Sequence, residues 1–286
     1  MGTVTSPTIL PLSEGVSRAA DLLDGRRIAV LTGAGVSTDS GIPDYRGADA
    51  RPRTPMTWRT FLSDEAARRR YWVGSHLGWR AFQAARPNPG HLALARLEAD
   101  GRTTGVITQN VDSLHLRAGS SRVVEVHGTM RRALCLRCGQ VFDRRAIAAR
   151  MERDNPWLAV PDDVPLGPDG DVVPETADHA TVPVCSVCSG VLKPDVVFFG
   201  EFVPRARFRA AEQLVASADA LLVAGSSLAV NSGIRVVERA RRRGLPIVVV
   251  NRGETKADAR VDLRIDAGTS EALSSLAAAL GSDAAR

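Results

Sequence analysis

Lysine is almost missing from this chain. Of its 286 residues 37 are basic, and all but two of those, Lys193 and Lys256, are arginine. The arginines are scattered, with the densest runs (Arg68 to Arg70 and Arg241 to Arg243) on helix-like stretches that read as solvated faces. With a net charge of +5 such a surface attracts nucleic acid only non-specifically. The bias reads as that of a GC-rich bacterial genome, and no dedicated nucleic-acid site is expected. Long apolar runs are also missing: none approaches about 18 residues, which excludes a spanning helix. The opening MGTVTSPTILPLSEG has no basic region followed by an apolar core and is no Arg-rich amphipathic presequence, so a cytoplasmic location is the expectation. There is no internal repeat and no low-complexity tract. Cysteine is limited to four residues.

A hydrophobic content of 44% and a charged content of 24% are ordinary for a globular chain, and the length suits one large domain and a small one. Short apolar runs bounded by turn residues predict strands at 28–32, 105–108, 123–126, 221–224, 247–250 and 263–265. Helical periodicity fills the gaps at 16–23, 91–97, 205–217, 232–243 and 270–280. Strands alternating with helices imply a parallel sheet covered on both faces, with ligands beyond the strand C-termini. Gly33, Gln109, His127, Gly225 and Asn251 fall at those ends. An Arg- and Trp-rich stretch to Pro89 reads as a helical insert, and the Pro/Asp/Gly-rich PDDVPLGPDGDVVPE as irregular.

The segment after the first strand, GAGVSTDSGIPDYRG, is the most informative. Gly33-Ala34-Gly35 resembles the start of a dinucleotide turn, in which glycines admit a pyrophosphate to backbone N–H groups and a helix start adds its dipole. Yet Thr38 stands where a third glycine belongs, and no acidic residue follows at a second strand end. A polar loop, Gly41 to Arg46, comes instead, which suggests chemistry on the dinucleotide other than hydride transfer. Gln109-Asn110-Val111-Asp112 ends one strand with ligand-binding side chains, although Asp112 alone also reads as a helix cap and His115 as a surface histidine. His127-Gly128 closes another strand, where an imidazole suits a base near neutral pH. Cys135-x-x-Cys138 and Cys185-x-x-Cys188 favour one tetrahedral thiolate zinc site with no open position, hence a structural metal, with a redox pair as the minor alternative. The 46 residues between the pairs require an extended loop.

Together these pieces resemble the sirtuins, the NAD-dependent protein deacylases. GAGVSTDSGIPDYRG, TQNVDSLH, the HG pair, both CxxC pairs, KPDVVFFGE, GSSLAV and VVVNRG occur in the family's order, and RYWVGSHLGW, RPNPGH and PLGPDGDV resemble its class II branch. The resemblance implies an α/β fold: a Rossmann-like doubly wound parallel sheet with a small zinc-binding domain and a helical insert. The boundaries expected are 12–50, 90–130 and 195–282 for the discontinuous NAD-binding domain, 51–89 for the insert and 131–194 for the zinc module, with flexible termini at 1–11 and 283–286.

Residue by residue, the resemblance places Gly33, Ala34, Gly35 and Arg46 at the pyrophosphate, and Asn110, Asp112, Ile42 and Asp44 in a nicotinamide pocket. It places Gly225, Ser226, Ser227 and Asn251 at the adenosine half and Gly268 near the adenine. Tyr45, Gln109, Arg252 and Gly253 flank these as further cofactor contacts. Val197, Phe198, Phe199 and Gly200, with the strand end near Val230, would sandwich an acyl-lysine peptide as an added strand. His127 would be the general base and Asn110 its catalytic companion. The implied reaction consumes NAD, releasing nicotinamide and 2′-O-acyl-ADP-ribose from an acyl-lysine protein, by a chain expected to be monomeric. ADP-ribosyl transfer or lipoamide cleavage at the same site is the alternative, followed by a non-catalytic NAD or nucleic-acid sensor. In the branch that takes acidic acyl groups a Tyr and an Arg clamp the carboxylate. Counted back from PNPGH, those places hold Ser75 and Gly78, so desuccinylation is disfavoured.

Overall fold

The structure is a computed structural model that describes residues 8–47, 54–160 and 164–281. Strand β1 (Thr8–Leu10) and helix α1 (Leu12–Leu23) lead into β2 (Ile28–Thr32). Helices α2 (Trp58–Ser63) and α3 (Glu65–Ala84) form the insert, and α4 (Pro89–Ala99) returns the chain to β3 (Thr103–Thr108). A single turn, α5 (Leu114–Arg117), precedes β4 (Val123–Glu125). The cysteine-bearing module contains β5 (Gly128–Cys135), β6 (Val141–Asp143), α6 (Arg144–Asp154) and β7 (Leu192–Val196). The chain then runs through α7 (Arg205–Ala216), β8 (Ala220–Ala224), α8 (Asn231–Arg242), β9 (Ile247–Val250), β10 (Leu263–Ile265) and α9 (Thr269–Gly281).

Seven parallel strands form one sheet in the order β1-β10-β9-β8-β2-β3-β4. The doubly wound Rossmann-like sheet is therefore as expected. Alternation along β2 explains its unbroken apolar run. Ile28 and Val30 join the core beneath α1, α4 and α9 with Leu94 and Leu273, while Ala29 and Leu31 join Phe208 and Val236 beneath α7 and α8. A strand buried on both faces has no polar side to show.

Two expectations are corrected, and one element is new. The first loop does not enter a helix: two 3-10 turns, Ala34–Val36 and Thr38–Ser40, end at Gly41 (φ +81°) and Pro43. No helix dipole therefore acts on a ligand there. Residues 8–10, placed in a flexible terminus by the sequence, pair as β1 with β10; a three-residue edge strand leaves too short a pattern to read. Residues 1–7 and 283–286 lie outside the described residues. The module holds a second sheet, antiparallel in the order β6-β5-β7, that the sequence did not announce. Its strands are short, and β6 is exposed at both ends, so no apolar run marks it.

The insert and module are packed into one body. On α3 a Cβ at Gly74 would lie 2.1 Å from the Val172 carbonyl oxygen, and one at Gly78 would lie 2.1 Å from that of Gly170. The Val172 N–H also donates to the Gly74 carbonyl at 3.0 Å. Two glycines one helical turn apart thus let the irregular loop lie directly on the helix backbone. Nearby, the buried Arg144 guanidinium sits against Trp72 and Trp79, 5.6 and 4.8 Å from their ring centroids, and donates to the Ser75 carbonyl. Gly78→Ala is expected to lower unfolding free energy by about 1–3 kcal/mol through overpacking; a urea midpoint unchanged from the parent protein would show that the loop is not held there.

Candidate active site and metal centre

From β2 the chain crosses to β3 on one side, and from β8 it crosses to β9 on the other. The crevice at this switch point is where a Rossmann-like sheet opens to ligands. A cavity of about 750 Å³ occupies it. Two glycine turns interlock at its base. A Cβ at Gly33 would lie 2.7 Å from the Gly225 carbonyl oxygen, and one at Gly225 (φ +61°) would lie 2.4 Å from the Val36 nitrogen. The Gly33 and Gly35 N–H groups donate to the Ala224 and Gly225 carbonyls at 3.1 and 2.9 Å. These two amides are engaged within the fold, so what the glycines supply to the cleft is room.

Above that base a polar relay joins the first loop to the segment after β3. Asn110 Nδ2 donates to the Gly33 carbonyl and to Ser37 Oγ, each at 3.0 Å, and Ser37 Oγ donates to Asp112 Oδ2 at 2.7 Å. Asp112 Oδ1 accepts from the Leu114 N–H at 2.8 Å, so the carboxylate also takes up the first N–H of the short α5, whose N-cap is Ser113. Burial pushes the Asp112 carboxyl above its usual range, against these hydrogen bonds. Ser113, at φ +58°, makes the sharp bend that aims it.

His127 lies between β4 and β5. Its Nδ1 faces the Gln109 carbonyl at 3.0 Å, and its Nε2 faces Ser232 Oγ at 2.8 Å. A carbonyl only accepts, so Nδ1 carries the proton and Nε2 holds the lone pair, taking the serine hydroxyl as donor. Burial lowers the pKa of the ring, and Arg207 lowers it further, against the Gln109 hydrogen bond. His127 and Ser232 both line the cavity, and a neutral imidazole with a lone pair on one nitrogen is the form a general base requires.

The segment after β7 forms the facing wall. The Val197 N–H donates to the His127 carbonyl at 2.8 Å, and the Trp58 N–H to the Phe199 carbonyl at 2.8 Å. Beneath it the buried Lys193 Nζ binds Glu201 Oε2 at 2.7 Å, and Glu201 Oε2 accepts from the Phe198 N–H at 2.9 Å. That ion pair fixes the turn of the wall. Tyr45 packs edge-on to Phe199, with ring centroids 5.9 Å apart, and donates its hydroxyl to Asp169 Oδ1 at 2.6 Å.

The four cysteines converge at the end of the module. Their sulfurs lie within 4.8 Å of one another, with Cys135–Cys188 at 3.5 Å and Cys138–Cys185 at 3.7 Å. Tetrahedral zinc with bonds of about 2.3 Å requires sulfur separations of about 3.8 Å. N–H groups of Arg137 and Cys138 point at Cys135 Sγ, and a Cβ at Gly190 would lie 2.8 Å from that sulfur. The residues fit a closed zinc site, and they are arranged to hold that ion.

The Sir2 family model matches residues 33–232, which hold most of the crevice short of the Asn251 loop, the relay, His127 and all four cysteines. The chain belongs to the Sir2 family. It is 51% identical over 261 residues to NAD-dependent protein deacetylase 1 of Mycobacterium avium (strain 104), covering 90% of this chain and 92% of that one. It is 47% identical over 276 residues to NAD-dependent protein deacetylase 1 of Streptomyces coelicolor, covering 95% and 92%. Among solved structures, a Sir2–p53 peptide–NAD+ complex aligns with a TM-score of 0.75 at 30% identity, over 94% of this chain and 98% of that one. A Sir2 homolog–NAD complex aligns with a TM-score of 0.75 at 28% identity, over 99% of both.

In this Sir2 chain every cofactor- and substrate-contact residue named from the sequence lines the one cavity, except Gly268. Gly268 lies behind Arg252, whose Nη2 is 2.8 Å from where its Cβ would stand. Asn251 lines the cavity, but its Nδ2 donates to the Arg252 and Gly253 carbonyls and so shapes its own loop. Asp44 likewise accepts from the Arg46 N–H at 3.1 Å. His115 is buried away from the cavity, with Nε2 2.9 Å from Thr32 Oγ1. Sequence reading missed Ser37 and Ser232, the serines on Asp112 and His127, because a serine becomes legible only through its partner. It also missed Asp169 and Asp171, which reach the cavity from the module's loop. Metal analysis is expected to find one zinc per chain, and Cys185→Ser to lose it with a lower melting temperature; metal-free wild-type protein of full stability would exclude the zinc site.

Proposed function

We propose that this chain is an NAD-dependent protein-lysine deacylase, working in the bacterial cytoplasm, where thiols stay reduced enough to hold zinc. The observation that carries the reading is His127, whose basic Nε2 sits on Ser232 Oγ, both residues lining the cavity that also holds the Asn110–Ser37–Asp112 relay. Most of the wider cavity, from Gly33 to Gly225 and Asn251, suits an elongated dinucleotide, and the wall Val197 to Gly200 suits an extended peptide.

NAD would enter as a co-substrate: the acyl oxygen would displace nicotinamide from its ribose, and a ribose hydroxyl would then bond to the acyl carbon. The lysine would leave as the free amine while water adds to that carbon to give 2′-O-acyl-ADP-ribose. Asn110 and Asp112 would hold the carboxamide, where the raised pKa of Asp112 suits a carboxyl that shares hydrogen bonds with a neutral amide. His127 would take the proton of the ribose hydroxyl at Nε2, while its Nδ1–H stays on the Gln109 carbonyl and keeps the ring aligned. Ser232 would yield its place on Nε2 to that hydroxyl.

Nicotinamide release is expected only when an acyl-lysine peptide accompanies NAD, with 2′-O-acyl-ADP-ribose as the product by mass spectrometry. ADP-ribose left on protein would favour the transferase instead. His127→Ala should lower kcat about 10²- to 10⁴-fold, and full turnover in that variant would refute the mechanism. Because burial lowers the His127 pKa below 6.5, the base stays neutral at pH 7. The acid limb of kcat/KM should then fall at a pH below that of free histidine; a limb above pH 7 would contradict the assignment.

A further inference from the structure

The structure assigns a positioning role to Arg207: its guanidinium, braced by Asp195, holds the His127–Gly128 turn and sets a positive charge against the catalytic base. The assignment rests on the deacylase reading above, in which His127 is that base.

Three elements meet at this turn. β5 begins at Gly128 and pairs antiparallel with β7, Gly128 opposite Val196 and Thr129 opposite Asp195. Arg207 stands in the first turn of α7. Its Nη1 lies 2.7 Å from where a Gly128 Cβ would stand, so the guanidinium rests on the residue that follows the base. Gly128 adopts φ +84°, a conformation open to glycine, and so leaves that place to Arg207. The buried Asp195 joins the elements. Its Oδ1 accepts from Arg207 Nη2, and its Oδ2 accepts from Arg132 Nη2 at 2.8 Å. Two guanidiniums share one carboxylate, so the cluster carries one unbalanced positive charge. The Arg132 side chain is 52% exposed and that of Arg207 25%, so the member on Gly128 is the less screened by water.

Other charged groups around the base are engaged elsewhere. Glu125 on β4 accepts from Ser113 Oγ at 2.6 Å, and Asp112 accepts from Ser37 and Leu114. Arg235 on α8 stacks on the Phe208 ring at 3.8 Å, and Lys193 and Glu201 on the wall pair with each other. The ring's own partners, the Gln109 carbonyl and the Ser232 hydroxyl, are neutral. Among the described residues Arg207 is the charge that bears on the imidazole, and it disfavours protonation. The pyrophosphate of a bound dinucleotide would pull the other way, toward an imidazolium with no lone pair for the ribose proton. Arg207 opposes that pull.

A brace acts through its contacts, whereas a charge acts with a sign, and the acid limb of kcat/KM separates the two. It is followed as nicotinamide release from NAD and an acetyl-lysine peptide, from about pH 5 to about pH 9. Arg207→Gln and Arg207→Met remove the cation, so the limb should move to higher pH by about half a unit or more. Arg207→Lys keeps the charge and should stay with the wild type. Asp195→Asn loosens the same turn but leaves both cations, so its limb should not rise. The midpoint of a limb does not depend on how much of a preparation is folded. NMR titration of the His127 ring in protein without substrates should give the same order, and it serves for a variant too slow to assay. Midpoints unmoved by loss of the cation, or raised as far by Asp195→Asn, overturn the assignment while leaving deacylation intact. A wild-type protein that releases no nicotinamide with the peptide overturns the deacylase reading and the assignment with it.

Discussion

Backbone meets backbone where β2 and β8 end, and the site is built outward from that contact. Gly33 and Gly35 on one turn and Gly225 on the other approach so closely that no side chain fits between them. A methyl group at any of the three would push apart the two strands that flank the switch point. The crevice therefore has a fixed floor, set by main-chain hydrogen bonds rather than by flexible side chains. Everything the site needs to hold still is tied to that floor. Asn110 reaches the Gly33 carbonyl, Gln109 accepts from Ser226, and His127 hangs from the Gln109 carbonyl.

Tying reactive groups to backbone carbonyls has an electrostatic purpose. A carbonyl cannot donate, so it fixes the tautomer of His127 without competing for its proton. The left-handed backbone of Ser113 and Leu228 belongs to the same design. Two of the three non-glycine residues at positive φ among those described lie in the loops around the cavity, and the third, Ser189, makes a cysteine turn. Such residues persist where the surrounding fold over-determines them. Here the buried Leu228 is held through its N–H on Ser226 Oγ.

Legibility in the sequence tracked the kind of information each element carries. Strands buried on both faces, β2 and β9 above all, leave continuous apolar runs, and their bounds agree with the reading to the residue. The paired cysteines state their own geometry through spacing. Short strands with mixed exposure, such as β1 and β6, leave no period. Contacts made through space left none either: nothing local in Ser232 announces a partner 105 residues away, and nothing in PLGPDGDV says that Gly74 and Gly78 are its landing place. The glycines of the first loop were legible as glycines, but for a different reason from the one their motif suggests. They admit the Gly225 turn as well as leaving room for a ligand.

The near absence of lysine has a consequence for a protein that handles acyl-lysine. Of its two lysines, Lys193 is buried and held by Glu201, so its ammonium is closed to acylating reagents. Only the exposed Lys256 remains, on the loop after β9, with its N–H on the Ser227 carbonyl and its Nζ on that of Ala229. The protein thus presents almost none of the side chain that it acts upon. Its surface, basic through arginine, is chemically silent to the modification it removes, and it offers its own active site a single competing target.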